Sequence, residues 1–510
     1  MKNYSRTQNA MLNVAVGYIC QIGMLLLSLW SRSLFLRYLS IEYLGINGLY
    51  TNILSVLSLA ELGLGNVAVF ALYKPVADGN IPLINSLVKY LKRVYFTIAI
   101  TVLTIGLLLI PFLKYIIKSD LSTRDLTLYY ILFLLSTVVT YLVGHKVALI
   151  CAYQENRLQK TIELVKSFIV QILHIIILIF FPNYTVYVLI SVICAYIGNG
   201  ILNYITNKKY SYLKRQDECV DITKEKARIK KDILSTALYK FGTVFINNTD
   251  NILISMIAGI NVVGLYSNYY TIVIALQGFI SIIATTLVNG IGNLNTENDA
   301  RRMNSTFNIM LYIFHFIAAY GGICLFLLFN QFIPIWLGKE YTLDMYTVFI
   351  ISFNFYLTNA ISPVWMYREA TGMFSKVKYL MLITALLNII LSILLGIYWG
   401  IFGILVASAL SRILSSFWYE PQLLYKNVFY ISTFQYWKRQ GIYFLGTAFS
   451  CIICWYISVL VPKTFIFIIF QGAAYFIICI IVFFIIDVIL KDFVLREIVS
   501  RCRILNLKKI

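Results

Sequence analysis

Asn247-Asn248-Thr249-Asp250-Asn251 is a run of five polar residues inside an otherwise apolar stretch. Lys240, Thr243, Asn247 and Asp250 or Asn251 recur at helical spacing, so they share one helix face. An amine and several amides on one face of an apolar helix suit an anionic head group, with the ammonium acting as a point charge on phosphate oxygens. The plainer reading is an ion pair, Lys240 with Asp250 or with another helix, that only fixes packing. A second stripe lies near the start of the chain. Asn13, Gly17, Gln21, Ser28 and Arg32 fall within a ~100° sector at helical spacing. It reads either as a cavity-facing stripe or as a helix–helix seam of hydrogen-bonded amides. Arg32 adds a fork that binds phosphate oxygens bidentately. Arg37, Lys146 and Arg412 are further candidate cations. Glu61 and Asp250 are the carboxylates that could titrate and couple a cycle to protons, or neutralise a cavity lysine.

No catalytic or metal-ligating constellation accompanies these stripes. His145, His174 and His315 are far apart and read as hydrogen-bonded packing residues. Cys451 and Cys454 form a C-x-x-C inside an apolar run, where packed thiols are the better reading than a zinc or redox pair. Gly63-Leu64-Gly65 lacks the strand context of a phosphate loop, and no nucleotide-binding motif is present, so neither a cofactor nor an enzymatic activity is expected.

The elements that must carry these residues are membrane helices. Of 510 residues, 60% are hydrophobic and 13% charged, against about half and a quarter in soluble domains. That excludes an ordinary soluble enzyme, a disordered chain and a disulfide-stapled module. A bilayer-crossing helix needs ~20 mostly apolar residues. Fourteen candidate runs lie near 11–31, 45–72, 94–113, 127–151, 162–181, 184–206, 234–258, 264–291, 306–329, 345–366, 377–398, 400–420, 440–461 and 464–490. With the N-terminus in the cytoplasm, 32 of the 42 Lys and Arg fall on the inner side, seven outside and three in or at the ends of spans. This bias supports the span count and cytoplasmic termini. The net charge of +20 is then a property of the inner face, attracted to anionic lipid. Nucleic-acid binding is not expected.

Two echoes suggest an internal repeat. Ser40–Asn47 reads SIEYLGIN and Gly259–Tyr266 reads GINVVGLY, pairing Gly45 with Gly264. Tyr153-Gln-Glu155-Asn-Arg157 is echoed by Tyr367-Arg-Glu369-Ala-Thr371. An even number of spans separates each pair, which makes a parallel repeat about an axis along the membrane normal, with a cavity between lobes. The expected fold class is therefore all-α and polytopic, with about fourteen transmembrane helices: two six-helix lobes related by a pseudo-twofold, plus two extra C-terminal helices. The expected organisation is an N-lobe over 1–206, a basic cytoplasmic linker over 207–232, a C-lobe over 233–421, two further spans over 422–490 and a basic amphipathic tail over 491–510. Lying on the inner leaflet, this tail resembles an interfacial helix.

The stretch RYLSIEYLGINGLYTNILSVLSLAELGLGN from Arg37 to Asn66, followed by Leu72-Tyr73-Lys74-Pro75, resembles the start of Wzx-type polysaccharide flippases of the multidrug/oligosaccharidyl-lipid/polysaccharide exporter superfamily. Asn248–Ser255, Val263–Tyr269 and Glu369-Ala370-Thr371-Gly372 resemble later motifs of that family. The resemblance implies a cavity opening alternately to each side and a cargo of undecaprenyl-pyrophosphate-linked oligosaccharide moved to the outer leaflet for surface polysaccharide synthesis. It also implies partners among glycosyltransferases, a polymerase and a chain-length regulator, besides membrane lipids. The physical reading places Lys240 and Arg32 on the diphosphate, with Asn13, Gln21, Asn247, Asp250 and Asn251 lining the cavity. A cation-coupled drug exporter of the same superfamily is the alternative. A polysaccharide polymerase or ligase is another, although such enzymes need a sizeable outer loop and the longest polar loop here is an inner one.

Overall fold

The computed structural model describes residues 6–58, 64–214, 220–297, 299–462 and 464–490. The described residues are helical nearly throughout, as the apolar runs dictate. A backbone in lipid has no water to bond and must satisfy itself within a helix. Among the described residues, eleven helical stretches are long and apolar enough to cross a bilayer. One of them, Lys376–Phe429, is 54 residues long and changes direction at Gly400, where φ is +57°, so it supplies two crossings. Two further spans are described as pairs of shorter helices, Ile41–Leu57 with Leu64–Ala77 and Thr223–Asn248 with Asp250–Ala258, which brings the number among the described residues to fourteen. The chain is thus an all-α, multi-pass membrane protein.

The chain forms two compact units, Met1–Ser267 with Met381–Ala385, and the remainder. The first contains α1 (Arg6–Tyr38), α2 (Ile41–Leu57), α3 (Leu64–Ala77), α4 (Ile81–Leu109), the single turn α5 (Leu113–Ile116), α6 (Thr123–Ala152), α7 (Asn156–Phe180), α8 (Tyr184–Lys209), α9 (Thr223–Asn248), α10 (Asp250–Ala258) and the first turns of α11 (Ile260–Thr296). The second span is described as α2 and α3, on either side of residues 59–63, which lie outside the described residues. The seventh is α9 plus α10, separated at Thr249. Helix starts carry side-chain caps that accept first-turn N–H groups: Asn80 from Leu83 (3.1 Å), Ser122 from Asp125 (3.1 Å) and Asn183 from Val186 (3.2 Å). The core of this unit joins Leu64, Leu72, Leu87, Leu91, Tyr95 and Leu149. Beside it, Phe35, Tyr43, Tyr129, Tyr184 and Tyr187 stack edge-on or face-on, and His174 lies flat on Tyr187 at 3.6 Å.

The second unit contains the rest of α11, then α12 (Ala300–Trp336), α13 (Met345–Ala370), α14 (Phe374–Leu414), α15 (Ser416–Leu424), a π-helical turn Tyr425–Phe429, α16 (Phe434–Leu460) and α17 (Phe465–Leu490). Here α16 and α17 dock on α12 through buried polar pairs. Gln331 Nε2 donates to Ser458 Oγ (3.1 Å) and to Gln471 Oε1 (3.0 Å). His315 Nε2 lies 2.8 Å from Gln440 Oε1. Cys324, Cys451, Cys454 and Cys479 pack together among Ile323, Leu327 and Tyr475. Among the described residues no group of His, Cys, Asp or Glu could hold a metal ion. Arg368 donates to Glu420 at 2.6 Å, with both side chains largely withdrawn from solvent.

The helix boundaries repeat with one register. Ile41 and Ile260, the first residues of α2 and α11, are 219 apart, as are the caps Asn80 and Asp299 of α4 and α12. The starts of α7 and α14 are 218 apart. The turns before α7 and α14 are alike in detail. Gln154 (φ +60°) and Gly372 (φ +69°) are both left-handed. The N–H of Glu155 reaches Ile150 O at 3.0 Å, and that of Met373 reaches Arg368 O at 3.1 Å, the six-to-one bond of a Schellman ending. The parallel repeat is therefore present. One expected pairing is corrected: Tyr153 corresponds to Thr371, not to Tyr367, because the sequence echo is offset from the backbone repeat by one helical turn.

Candidate functional site

The repeat register puts the two polar stripes on the same positions. Adding 219 to Gln21, Ser28 and Arg32 gives Lys240, Asn247 and Asn251; adding it to Gly23 gives Gly242. Each glycine seats its helix on a neighbour. A Cβ at Gly23 would touch the Phe168 ring of α7 at 3.5 Å, and one at Gly242 would overlap the backbone of Met381 in α14. Two residues earlier, and roughly 160° around the helix at 3.6 residues per turn, Gln21 and Lys240 point away from those contacts. In α1 the exposed apolar residues Ile19, Ile22, Leu26 and Trp30 lie roughly 140° from the stripe on the same wheel. The stripe is therefore turned away from the apolar, lipid-type face of its helix.

Further along both helices the stripes enter a seam. Arg32 Nη1 donates to Ser267 Oγ at 2.9 Å, and Ser267 Oγ donates to Gly264 O at 2.7 Å. The repeat mate of Arg32 is Asn251, and that of Ser267 is Gly48. Asn251 is buried on Gly48, where a Cβ would lie 3.6 Å from its Nδ2. Gly45 faces the Ile260 carbonyl and Gly264 faces that of Ile41, each so closely that a Cβ would overlap the oxygen. Lys118 ties the end of α10 to the same region, with Nζ on Ile257 O (3.3 Å) and its own carbonyl accepting from the Ile260 N–H (3.2 Å).

The other expected site residues are placed as follows. Gln21 and Lys240 are half-buried, and Asn247 is exposed with its Nδ2 on Thr243 O (2.8 Å). Asp250 opens α10. It stands ten residues beyond Lys240, ~15 Å of helical rise, too far for the packing ion pair considered above. The Asn13 side chain, Glu61 and the tail from residue 491 lie outside the described residues. Lys146 and Arg412, considered as cavity cations, are instead engaged within helix bundles. Lys146 is buried and donates to Asn203 Oδ1 and to Asn207 Oδ1, the latter at 2.7 Å. Arg412 Nη1 donates to Thr358 Oγ1 at 2.8 Å. Arg37 is exposed over the Tyr38 ring. Ser267, Gly48 and the glycine pair Gly23 and Gly242 were missed from sequence. Extending the Gly45 to Gly264 offset along the chain is the signal that finds them.

This all-α, multi-pass fold has counterparts among solved structures. The chain is similar in structure to the lipid II flippase MurJ in an inward closed conformation, at 14% identity, with 94% of this chain and 100% of that one covered and a TM-score of 0.62. It is also similar to a multidrug resistance MATE family transporter of the MOP superfamily in an inward-facing conformation, at 14% identity, with 78% and 96% covered and a TM-score of 0.59. No curated protein matches the sequence significantly. The family model described as polysaccharide biosynthesis protein matches residues 10–288, more than half of the chain, and the protein belongs to that family.

Proposed function

We propose that the protein is a Wzx-type flippase that carries an undecaprenyl-pyrophosphate-linked oligosaccharide from the cytoplasmic to the outer leaflet of the cell membrane by alternating access. The observation that supports this most is the coincidence of the two polar stripes in the repeat, Gln21 with Lys240 and Arg32 with Asn251. Equivalent inward-turned helices that carry a lysine, an arginine and amides suit a bulky anionic head group with hydrogen-bonding sugars. Lys240 and Arg32 hold the diphosphate, with Arg32 nearer the outer end. Asn13, Gln21, Asn247, Asp250 and Asn251 contact the glycan, and the polyprenyl tail stays in lipid. Asn247 is exposed yet too polar for acyl chains, which fits a water-filled chamber. The seam at Gly45 and Gly264 is then the outer closure. Both termini are cytoplasmic, and the partners are glycosyltransferases, a polymerase and a chain-length regulator. Glu61 and Asp250 are the carboxylates available for coupling. A membrane potential offers an alternative drive, at ~2.3 kcal/mol per charge per 100 mV.

The test is Lys240→Ala and Arg32→Ala in a cell whose surface glycan depends on the protein. Each is expected to reduce surface polymer at least tenfold at normal protein level. Normal polymer in both would defeat the assignment. The likeness to a multidrug transporter supports a second reading, a cation-coupled drug exporter, and resistance assays run in parallel separate the two.

A further inference from the structure

The repeat also compares the two halves at the turn between their fourth and fifth helices, and there they differ. In the first half the turn is closed by its own side chains. The Tyr153 ring stacks on Tyr210 at 4.7 Å. Glu155 accepts from Lys209 Nζ (2.6 Å) and from the Tyr210 hydroxyl (3.0 Å). In the second half the corresponding residues are smaller or turned out. Thr371 stands at the position of Tyr153, and Met373 at that of Glu155. Tyr210 is the first residue past the sixth helix and is 5% exposed. The first residue past the π-helical turn, Tyr430, two residues beyond the register position of Tyr210, is 77% exposed with a left-handed backbone (φ +56°).

The result is a cavity of about 360 Å³ lined among others by Asn295, Asp299, Thr371, Lys376, Asn427 and Tyr430. Lys376 Nζ donates to the neutral Asn427 Oδ1 at 2.6 Å, and among the described residues no carboxylate forms an ion pair with it. By the same register Asn427 stands at the position of Lys209, so the second half has neither member of the first half's ion pair, and Lys376, at the position of Leu158, is an added cation. Asp299 is no substitute, because its Oδ1 already accepts the N–H groups of Arg301 (3.0 Å) and Arg302 (3.1 Å) at the start of α12. The charge distribution puts this face in the cytoplasm, at headgroup level, where basic pockets between helices accept anionic lipid heads.

We infer that this cavity binds the phosphate of an inner-leaflet phospholipid, whose anionic oxygens pair with Lys376. The proposal is separate from the stripe site and needs only that this face meet the membrane. A polyprenyl phosphate presents the same group, so the experiment includes both lipids. Full-length protein in detergent is titrated with short-chain phosphatidylglycerol and with undecaprenyl phosphate, and bound lipid is read by native mass spectrometry. Lys376→Gln and the transplant Thr371→Tyr/Met373→Glu, which puts the first half's ring and carboxylate at their register positions beside the cavity, are each expected to weaken phosphatidylglycerol binding at least tenfold. Thermal melting of each variant within a few degrees of the parent establishes that the fold is kept, and Lys376→Gln serves if the transplant melts. A tenfold loss confined to undecaprenyl phosphate identifies the cargo lipid as occupant and overturns the phospholipid assignment. Unchanged binding of both lipids in Lys376→Gln overturns the site altogether.

Discussion

Gly45 and Gly264 are mutual contact points: each lies on the backbone carbonyl that opens the other's helix, Gly45 on Ile260 and Gly264 on Ile41. The two contacts are repeats of one another, so α2 and the start of α11 cross about a local pseudo-twofold. Only glycine allows backbone to meet backbone this closely, which is how small residues bring membrane helices together.

Gly45→Ala and Gly264→Ala should each destabilise the protein, because neither carbonyl can rotate away as a flexible side chain could. Overpacking of this kind costs about 1–3 kcal/mol. Thermal melting in detergent reads it. The double variant should fall short of the sum, since both residues hold one seam and neighbouring sites couple. Full additivity would mean that the two contacts are independent.

The equivalence of Gln21 and Lys240 makes a sharper prediction than single alanines. Lys240→Gln should lose most glycan export, and adding Gln21→Lys should restore part of it, because the amine returns to the matching position in the other half. Surface polymer measured at equal protein level checks this. No rescue would mean that the chamber is not symmetric with respect to its charge.

Lys146 is a buried cation held by amides. Asn203→Leu/Asn207→Leu should destabilise the protein by about 1.5–3 kcal/mol, the usual worth of hydrogen bonds to a charged group. Lys146→Met in that background should recover much of the loss, because the uncompensated charge goes with it. Melting temperatures of these two variants and of Lys146→Met alone close the cycle.

Glu155 provides a pH signature outside the membrane. Its hydrogen bond from Lys209, with a further one from Tyr210, holds its carboxyl below the ordinary value of 4.5 despite an opposing effect of burial. A depressed folded value means that the contribution is fully present above the unfolded value and is lost as pH falls below 4.5 and through the folded value. The side chain is a third exposed, so the effect is modest. Glu155→Gln should flatten the fall in melting temperature as the pH drops from about 5 to about 3, and an unchanged slope would remove Glu155 from the latch.

The residues show unevenly how much could be read in advance. The polar stripes were legible because each lies on one helix, and helical spacing alone selects Gln21, Arg32, Lys240 and Asn247. The repeat was visible at Gly45 and Gly264, where a backbone approach demands the same residue type twice. It was misregistered at Tyr153 and Tyr367, where a chance likeness of side chains outweighed a turn whose backbone recurs but whose residues, Gln154 and Gly372, are not alike.

Span number and the asymmetry of charge follow from the sequence by itself, because the cost of placing each residue in lipid is a local quantity summed along the chain. Whether a cation faces a chamber or a neighbour is decided between helices. Lys146 and Arg412 read as candidate cavity cations in one dimension, and their hydrogen bonds to Asn203, Asn207 and Thr358, more than fifty residues away in the chain, appear only in the fold. The open cavity beside Lys376 is likewise a tertiary outcome: Asn295, Thr371, Lys376, Asn427 and Tyr430, from separate helices, line it together, and Thr371 stands where the first half has the ring of Tyr153.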